Sequence, residues 1–463
     1  MSPLKTIQER RPLAGSALTC SVHSLGGSDG AIATASGYSG PIRVAGGVPG
    51  DRGVVRVLHS GQHGAWARWL RLDEPSSYRR AAECAAVLRC GGCPWQMVDA
   101  EVQRQTRLDA INLHLHRWLG QVEPSWAPLQ EMSVGYRSRA QVVLGRKRGR
   151  IVWGFWGPGS QELAAVELCP AHLRSVDQAL NRAADELDRA GVPVAGEADG
   201  IGATGLIYRI DPRSELGMLT VLCGDVEALR PAVQGLSEIP GVVGVFAAPV
   251  ARKGGPPVGE RAIHLAGGLR APLVWQLAAA ELPDLELQLG PTVFVQTRHD
   301  AAEGLIAAVA KMLPSEGPGL LDLFSGAGVF GLALRQRFAE VWLVEREGPS
   351  IADAQANVDR LEAGNVRVRP GDAAEVLAQL LREGATFGCA VVDPPRAGCG
   401  PEVVKQLSEC PSLRQIAYVS CGQSGLQRDI AAFAEHGWRI TAVQALEMFP
   451  HTPHAEVLVQ LSR

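Results

Sequence analysis

The sequence lacks several features that would place it in common protein classes. No apolar run reaches the roughly 18 residues that a membrane-spanning helix needs, so we expect a soluble protein. The first eleven residues are polar and no apolar stretch follows, so we expect neither a secretory signal nor disulfide bonds. The net charge of −3 shows no overall excess of basic residues that would indicate nucleic-acid binding. We find no internal repeat and no long low-complexity tract.

What is present is enough sequence for two or three domains, since 46% of the 463 residues are hydrophobic. The most informative segment is 321–330 (LDLFSGAGVF). An apolar strand reaches Asp322, and the chain then turns through Ser325 to Gly328 into a helix predicted to begin near Phe330. Backbone N–H groups of such a turn can approach a polar ligand. No Gly-Lys-Ser/Thr follows, so this is not a Walker loop, and a purely structural turn is the alternative.

Polar residues also follow each of the next four predicted strands. Glu345 follows 341–344, Gly371 and Asp372 follow 366–368, Asp393 follows 389–392, and Ser420 and Cys421 follow 416–419. In a doubly wound parallel sheet the carboxyl ends of the strands border one ligand crevice, so these side chains should converge. The first of them, Glu345, has the place of the acidic residue that binds ribose hydroxyls, which predicts a nucleoside ligand.

Five motifs resemble those of class I S-adenosylmethionine-dependent methyltransferases and, more closely, those of the RNA uracil-5-methyltransferase family. They are FVQ (294–296), LDLFSGAG (321–328), DPPRAG (393–398), YVSC (418–421) and MFPHTPHAE (448–456). The resemblance implies a methyltransferase domain over 290–463 with S-adenosylmethionine as cofactor. It also implies that the cofactor contacts come from Gln296, Phe324, Gly326, Gly328, Glu345, Asp372 and Asp393.

The chemistry of that family explains a cysteine at the end of a strand. Carbon 5 of uracil is a poor nucleophile until a thiolate adds to carbon 6, and Cys421 is the candidate thiolate. A base must then remove the proton from carbon 5, and the resemblance assigns this role to Glu456. By the same resemblance Asp393 contacts the base or orders the site. The alternatives are a small buried hydrophobe at Cys421 and a solvated surface carboxylate at Glu456.

Three positions depart from the family pattern. The family usually reads FxQxN, whereas this chain has Thr297-Arg298 after Gln296. The family also usually has asparagine after the second glycine of the cofactor loop and after the nucleophile, where this chain has Val329 and Gly422. These changes could alter cofactor affinity or substrate geometry, and the sequence leaves open whether activity falls or the substrate differs.

A second group of candidate ligands lies upstream. Cys84, Cys90 and Cys93 form C-x5-C-x2-C, and Cys169 follows in ELCP. Four thiolates on turns suit either structural zinc or an iron–sulfur cluster, and spacing alone does not separate these. The iron–sulfur subgroup of the uracil methyltransferase family has this spacing, so the resemblance implies a [4Fe-4S] cluster, whose redox role the sequence leaves open.

The remainder of the chain predicts two further domains. Residues 15–75 alternate apolar and polar stretches with frequent glycine, including a turn at 48–51, which predicts a small antiparallel barrel and resembles the OB-like, RNA-binding TRAM module. Residues 76–289 are assigned to a central α/β domain with the cysteine cluster, strands at 141–144 and 219–223, and an exposed loop at 252–260. The helix predicted over 96–120 packs on the catalytic domain by resemblance. Basic side chains at Arg79, Arg80, Arg137, Arg139 and in the tip 146–150 are candidate phosphate contacts.

We therefore expect a cytoplasmic, monomeric S-adenosylmethionine-dependent RNA (uracil-5-)-methyltransferase without membrane partners. The barrel and cluster together resemble the ribosomal RNA branch of the family, so we expect 23S rRNA to be the substrate. A tRNA T-loop uridine is the closest alternative. Two further hypotheses are a divergent RNA-binding protein without catalysis and an enzyme that methylates a small heterocycle.

Overall fold

The computed structural model describes residues 12–27, 30–127, 134–158, 162–194, 201–249 and 262–463. The chain divides into two compact units. The first comprises Met1–Asp109, Phe155–Ala164 and Phe449–Pro453, and the second comprises Ala110–Gly154, Ala165–Met448 and His454–Arg463. The domain boundaries expected at 75/76 and 289/290 are not tested by this division and stay predictions. The predicted loop 252–260 lies outside the described residues.

The first unit contains a closed barrel. Its strands are β1 (Ala17–Ser24), β2 (Ala31–Ala35), β3 (Ile42–Ala45), β4 (Arg52–Gly61) and β5 (Gly64–Glu74). They run in the order β1-β2-β3-β5-β4. Alternate residues point inward and form a small aliphatic core, which includes Val22, Val44, Val55 and Ala67. The predicted barrel is confirmed, with one difference: β3 and β5 pair in parallel, because a longer connection through β4 separates them.

A buried carboxylate holds the turn at 48–51 against the chain that follows the barrel. Asp51 accepts the N–H of Val48 at 2.7 Å and that of Ser76 at 2.9 Å, and it pairs with Arg79. Gly50 has φ of 98°, a conformation that glycine adopts without strain. Of the predicted phosphate contacts, Arg79 is therefore engaged inside the protein.

Helix α1 covers Ala100–Leu119, within the predicted span 96–120. The described residues after this helix include a seven-stranded sheet with the order β13-β12-β11-β10-β7-β8-β9. Its strands are β7 (Arg139–Lys147), β8 (Arg150–Trp156), β9 (Leu163–Ala165), β10 (Ala203–Ile210), β11 (Gly217–Cys223), β12 (Val242–Pro249) and β13 (Ile263–Gly267). Both strands predicted here are confirmed, since they fall within β7 and β11. Helices α2 (Arg174–Arg189) and α3 (Val233–Ser237) and the hairpin β14 (Ala271–Trp275) and β15 (Leu285–Leu289) complete this region.

The last third of the chain forms a doubly wound sheet with the order β18-β17-β16-β19-β20-β22-β21-β6 over the described residues. Its strands are β6 (Ser125–Trp126), β16 (Gly317–Leu323), β17 (Phe338–Glu345), β18 (Val366–Pro370), β19 (Cys389–Val392), β20 (Gln415–Ser420), β21 (Arg439–Leu446) and β22 (Glu456–Ser462). The helices are α4 (His299–Met312), α5 (Val329–Leu334), α6 (Gly348–Arg360), α7 (Ala373–Arg382), α8 (Pro401–Glu409) and α9 (Gln423–Glu435).

Five neighbouring strands of this sheet are parallel: β18, β17, β16, β19 and β20. Strand β22 is antiparallel to both of its neighbours, β20 and β21. Helices cover both faces of a parallel sheet, which explains why β16, β19 and β20 read as nearly continuous apolar runs. All four strands predicted after the cofactor loop are confirmed, and so is the ordering of their polar ends along one edge. Among the described helices, none combines the length and hydropathy required to cross a membrane.

Candidate active site

The turn after β16 is built to expose backbone N–H groups. Phe324, Gly326 and Gly328 all have positive φ (60°, 56° and 82°), and α5 begins immediately afterwards at Val329. The N–H of Gly326 donates to Glu345 Oε2 at 2.8 Å, so the end of β17 holds the turn in place. Glu345 Oε1 accepts the N–H groups of Arg346 and Glu347 at 2.7 and 2.8 Å. The carboxylate expected to bind ribose is thus already oriented by its own backbone.

Asp322 lies beneath this turn and is fully buried. Its Oδ2 accepts the N–H of Gly331 at 2.8 Å, whereas its Oδ1 is buried without a hydrogen-bond partner. Burial raises the pKa of Asp322 to about 8, and the charges of Asp393 and Glu345 raise it further, although the bond from Gly331 lowers it. These three carboxyl groups therefore interact at one edge of the sheet, as the order of the strands predicted.

Unpartnered buried acceptors indicate what the site could bind. Besides Asp322 Oδ1, the described residues include Gln296 Oε1 and Ser325 Oγ, neither of which has a hydrogen-bond partner. A buried acceptor without a donor is costly unless a ligand supplies one. The ammonium group, ribose hydroxyls and adenine amine of S-adenosylmethionine are donors of the required kind. The residues therefore fit this cofactor.

Two of the predicted cofactor residues have structural roles as well. Asp372 is exposed and caps α7, where its Oδ1 accepts the N–H of Ala374 at 2.9 Å. Gln296 directly precedes an anchored segment, because Thr297 O accepts the N–H of Ser138 at 2.9 Å and the buried Arg298 follows. Their contacts with the cofactor stay predictions.

Arg298, which replaces an asparagine of the family pattern, is completely buried. Its guanidinium donates to Asp300 at 2.8 Å and to the carbonyl of Glu447 at 2.8 Å, and it lies 5.9 Å from the centre of the Tyr136 ring. The side chain is therefore neutralised and occupied in holding the segment between Gln296 and α4. The departure at this position has a structural explanation that the sequence did not reveal.

Cys421 stands between β20 and α9, at the carboxyl end of a central strand. Its thiol is half-buried. Burial raises the pKa of Cys421, and the nearby carboxyl groups of Glu456 and Asp393 add to this, whereas a hydrogen bond and the charge of Arg396 lower it. The structure thus brings together the three predicted residues Cys421, Glu456 and Asp393. It adds Arg396, which lies near the same thiol.

The two carboxyl groups beside this thiol both have raised pKa values. Glu456 is 2% exposed as the first residue of β22. Burial and the charge of Asp393 raise its pKa to about 8, although Arg396 opposes this, and its Oε2 is buried without a partner. Burial likewise raises the pKa of Asp393 to about 7. Neither carboxyl is the solvated surface group considered as the alternative for Glu456.

Arg396 belongs to the DPPRAG motif, and no role was predicted for it. The structure places this exposed side chain close enough to Cys421 for its charge to lower the pKa of the thiol. Its backbone carbonyl approaches the start of α9 so closely that a Cβ atom on Gly422 would lie 2.6 Å away, and one on Gly425 would lie 2.5 Å away. Glycine at 422, where the family usually has asparagine, therefore allows the DPPR turn to pack against the segment that carries Cys421.

The terminal motif 448–456 contributes Glu456 to the candidate site. Its first histidine, His451, instead makes contacts within the first unit. His451 has φ of 63° and its Nδ1 lies 3.2 Å from Gln103 Nε2, while its carbonyl accepts the N–H of Trp95 at 3.0 Å. These contacts lie within the first unit and make His451 an anchor of the segment Phe449–Pro453.

The predicted cysteine ligands are distributed over both units, with Cys84, Cys90 and Cys93 in the first and Cys169 in the second. Among the described residues, no group of three or more cysteine, histidine or acidic side chains is close enough to hold a metal ion. Cys84 Sγ accepts the N–H of Ala86 and Cys90 Sγ that of Gly92, both at 3.4 Å. Burial would raise the pKa of Cys169, but hydrogen bonds from His172 and the Ala171 backbone, with the charge of His172, lower it overall.

The basic tip predicted at 146–150 is the turn of the β7–β8 hairpin. Arg146 pairs with Asp188 at 2.7 Å and Arg150 with Asp185 at 2.8 Å, so α2 neutralises two of its four cations. Only part of this cluster is thus available for phosphate contacts.

The parallel sheet, the glycine turn and the acidic strand ends together define a class I S-adenosylmethionine-dependent methyltransferase. Residues 285–463 match the family model described as tRNA (Uracil-5-)-methyltransferase. The chain is 30% identical, over 90% of its length and 88% of the relative, to the 23S rRNA (uracil(1939)-C(5))-methyltransferase RlmD of Pseudomonas fluorescens. It is also 30% identical to an uncharacterized RNA methyltransferase of Thermosynechococcus vestitus, over 90% of this chain and 91% of that one.

Among solved structures, the fold is similar to that of the tRNA (uracil-54, C5)-methyltransferase of Pyrococcus abyssi in complex with S-adenosyl-L-homocysteine. The TM-score is 0.75 at 21% identity, and the match covers 96% of this chain and 99% of that one. The chain belongs to the RNA uracil-5-methyltransferase family and is an S-adenosylmethionine-dependent RNA (uracil-5-)-methyltransferase.

Proposed function

We propose that this enzyme methylates carbon 5 of a uridine in 23S rRNA, in the cytoplasm, through a covalent bond between Cys421 and carbon 6. The observation that carries the proposal is the group of Cys421, Arg396, Asp393 and Glu456 at the carboxyl ends of the strands, where charge and hydrogen bonding couple them. The 30% identity to RlmD supports 23S rRNA over tRNA as the substrate.

In the first step Cys421 must lose its proton. Arg396 stabilises the thiolate, because its charge and hydrogen bond lower the pKa of Cys421 against the effects of burial and the two carboxyl groups. The thiolate then adds to carbon 6 of the uracil, and the electron pair of the 5,6 double bond moves toward the carbonyl oxygen at carbon 4. The resulting enolate is nucleophilic at carbon 5.

Bound S-adenosylmethionine supplies an electrophilic methyl group on a sulfonium centre. Gln296 Oε1, Asp322 Oδ1 and Ser325 Oγ are the acceptors proposed to hold it, since each is buried and lacks a donor. We propose that the ribose hydroxyls donate hydrogen bonds to the carboxylate of Glu345. Its two oxygens already accept backbone N–H groups but have further lone pairs for this purpose.

In the last step Glu456 removes the proton from carbon 5, the electron pair reforms the 5,6 double bond, and the bond from carbon 6 to Cys421 breaks. A carboxyl with a raised pKa suits this task, because a base close to neutral pKa is stronger than an ordinary carboxylate. We propose that Asp393, protonated over part of the neutral range, donates a hydrogen bond to the base and positions it.

The first test is incubation of wild type and a Cys421→Ser variant with tritium-methyl cofactor and unmodified 23S rRNA, tRNA or free uridine, followed by nucleoside mass spectrometry. We expect 5-methyluridine in 23S rRNA with wild type only. Cys410→Ser is the matched control, because Cys410 is a buried cysteine that directly follows α8, and its sulfur is 3.4 Å from the Ser412 hydroxyl. Methylated product in tRNA alone would favour tRNA as the substrate. No product in any RNA would favour the hypothesis of an RNA-binding protein without catalytic activity.

We further propose that Cys84, Cys90, Cys93 and Cys169 hold a [4Fe-4S] cluster. Ligation requires thiolates, and the lowered pKa of Cys169 favours that form. Elemental analysis of anaerobically purified protein should find about four irons and as many sulfides per chain in wild type. Cys90→Ser should lose them while Cys410→Ser keeps them. One zinc per chain, which the spacing also allows, would contradict the proposal.

A further inference from the structure

A buried carboxylate on α9, that of Asp429, contacts two other segments of the catalytic region. Asp429 is 4% exposed and lies in the second turn of the helix that begins two residues after Cys421. Its Oδ2 accepts the hydroxyl of Tyr418 at 2.5 Å and the N–H of Cys399 at 2.6 Å. Within the described part of the chain it makes no ion pair with a basic side chain. Donors from two other segments therefore stabilise this buried group.

The contacts of α9 fix the chain that follows Arg396. Gly398 has φ of 87°, and a Cβ atom on it would lie 2.5 Å from Asp429 Oδ2, so the carboxylate fills the space that a side chain would need. The neighbouring Arg428 donates through Nη2 to the carbonyl of Ala397 at 3.2 Å. The residues directly after Arg396 are thus packed against α9.

The second contact of Asp429 reaches the strand that leads to Cys421. Tyr418 lies on β20, is 1% exposed, and its ring packs edge-on against Phe433 at 6.5 Å between centroids. Burial raises the pKa of Tyr418, so its hydroxyl stays protonated and donates. Burial and the charge of Asp429 likewise raise the pKa of the Cys399 thiol, which keeps it protonated at neutral pH. Asp429 therefore joins β20, α9 and the turn after Arg396 through neutral donors.

We propose that Asp429 is a positioning residue that holds Arg396 beside Cys421. The charged groups with the largest effect on the Cys421 thiol are Glu456, Asp393 and Arg396, and only Arg396 favours the thiolate. An exposed arginine side chain keeps many rotamers, so it stays near the thiol only if its backbone is fixed. Asp429 supplies that constraint and acts through Arg396. This inference rests on the proposed function, in which Cys421 is the nucleophile.

The test measures the protonation of Cys421 directly in the full-length protein. Wild type, Asp429→Ala and Asp429→Asn are alkylated with iodoacetamide from about pH 6 to 10, and peptide mass spectrometry separates Cys421 from the other cysteines. Glu435→Ala is the matched control, because it removes an exposed carboxylate from the last residue of the same helix. The unfolding temperature and the affinity for S-adenosylmethionine are measured alongside.

For Asp429→Ala we expect the pH midpoint of alkylation to rise by roughly one unit, because Arg396 is no longer held near the thiol. Asp429→Asn should stay close to wild type, since its amide oxygen can accept both hydrogen bonds, and so should Glu435→Ala. Loss of a negative charge by itself would lower the pKa of a nearby thiol. A rise in Asp429→Ala that Asp429→Asn does not share therefore reports position and not charge.

A double variant tests whether the effect passes through Arg396. Arg396→Ala alone should raise the midpoint by about the same amount, and Asp429→Ala/Arg396→Ala should add nothing further. If Asp429→Ala does not fold, Tyr418→Phe removes one donor, keeps the ring and should shift the midpoint in the same direction. An unchanged midpoint, or additive shifts in the double variant, would overturn the inference. Absence of methylated RNA with wild type would instead refute the proposed function, and alkylation needs no RNA, so the two failures are distinguishable.

Discussion

At the scale of single residues, burial shifts the protonation of three carboxyl groups of the candidate site. Asp322, Asp393 and Glu456 have pKa values raised to about 8, 7 and 8 because burial penalises their charged forms. Their proximity adds to this, since each anion makes the next one less favourable. One exposed cation, Arg396, opposes them next to Cys421.

Glu456→Gln should separate the two halves of the reaction. An amide cannot accept the proton from carbon 5, so the adduct forms, receives its methyl group and then persists. We expect a covalent protein–RNA band on denaturing gels and turnover reduced by about 10²–10⁴-fold. Glu409→Gln, on the exposed face of α8, is the control and should retain wild-type turnover. Normal product release by Glu456→Gln would assign the base to another residue.

The rate should rise with pH across the neutral range. Both Cys421 and Glu456 act in their deprotonated forms and both have raised pKa values, the latter about 8. Below that value each further pH unit increases the active fraction of Glu456 about tenfold. We expect kcat/KM to increase from pH 6 to 8 and to keep rising above pH 8, because the pKa of the Cys421 thiol is raised above that of an ordinary cysteine. A profile that is flat over this interval would contradict the assigned roles.

At the scale of elements, the DPPR turn and the start of α9 are joined by close backbone packing. The carbonyl of Arg396 occupies the space where side chains at positions 422 and 425 would otherwise begin. Because Arg396 and the proposed nucleophile Cys421 lie on these two elements, their packing sets the distance between the two side chains.

Gly422→Ala should disturb that distance without affecting the cofactor turn. The added Cβ would lie 2.6 Å from the Arg396 carbonyl, so the turn must shift, at a cost of about 1–3 kcal/mol in stability. We expect kcat to fall roughly 10²-fold, as for other small displacements of reacting groups. Calorimetry should show unchanged S-adenosylmethionine affinity. Gly364→Ala is the control, since nothing lies within 4 Å of its Cβ position. Equal activity in both variants would show that this packing is unimportant.

At the scale of the whole molecule, the same buried carboxyl groups couple folding to pH. Each is protonated in the folded protein but ionises near pH 4 when unfolded. Their contribution to stability is therefore fully present below about pH 4 and is lost as the pH rises to about 8. The slope is at most about 1.4 kcal/mol per pH unit for each group.

Asp322→Asn should reduce this pH dependence. The amide oxygen can still accept the N–H of Gly331, and a neutral side chain has no proton to lose. We expect the unfolding temperature of the variant to fall less than that of wild type between pH 5 and pH 8. Asp359→Asn on the exposed surface of α6 should leave the wild-type dependence intact. Cofactor binding should weaken in Asp322→Asn alone, because Oδ1 is lost as an acceptor.

Local sequence determined the elements of the catalytic region and its chemistry. Apolar runs marked β17 to β20, the glycines of 325–328 marked the cofactor turn, and the polar residue after each strand marked the ligand edge. These features depend on periodicity and backbone conformation, which a short segment encodes by itself. The barrel was predictable for the same reason, but the parallel pairing of β3 with β5 was not, because it joins strands distant in sequence.

Only the tertiary structure decided which residues interact and in what state. The role of Arg396, the neutralisation of Arg298, the pairing of Arg146 and Arg150 with α2, and the raised pKa values all depend on neighbours from distant segments. Burial and charge act through space, so the sequence could name Cys421 and Glu456 but not their protonation. The contacts of Asp429 with Tyr418 and Cys399 arise in the same way, because they join three segments that only the packing of the sheet and its helices brings together.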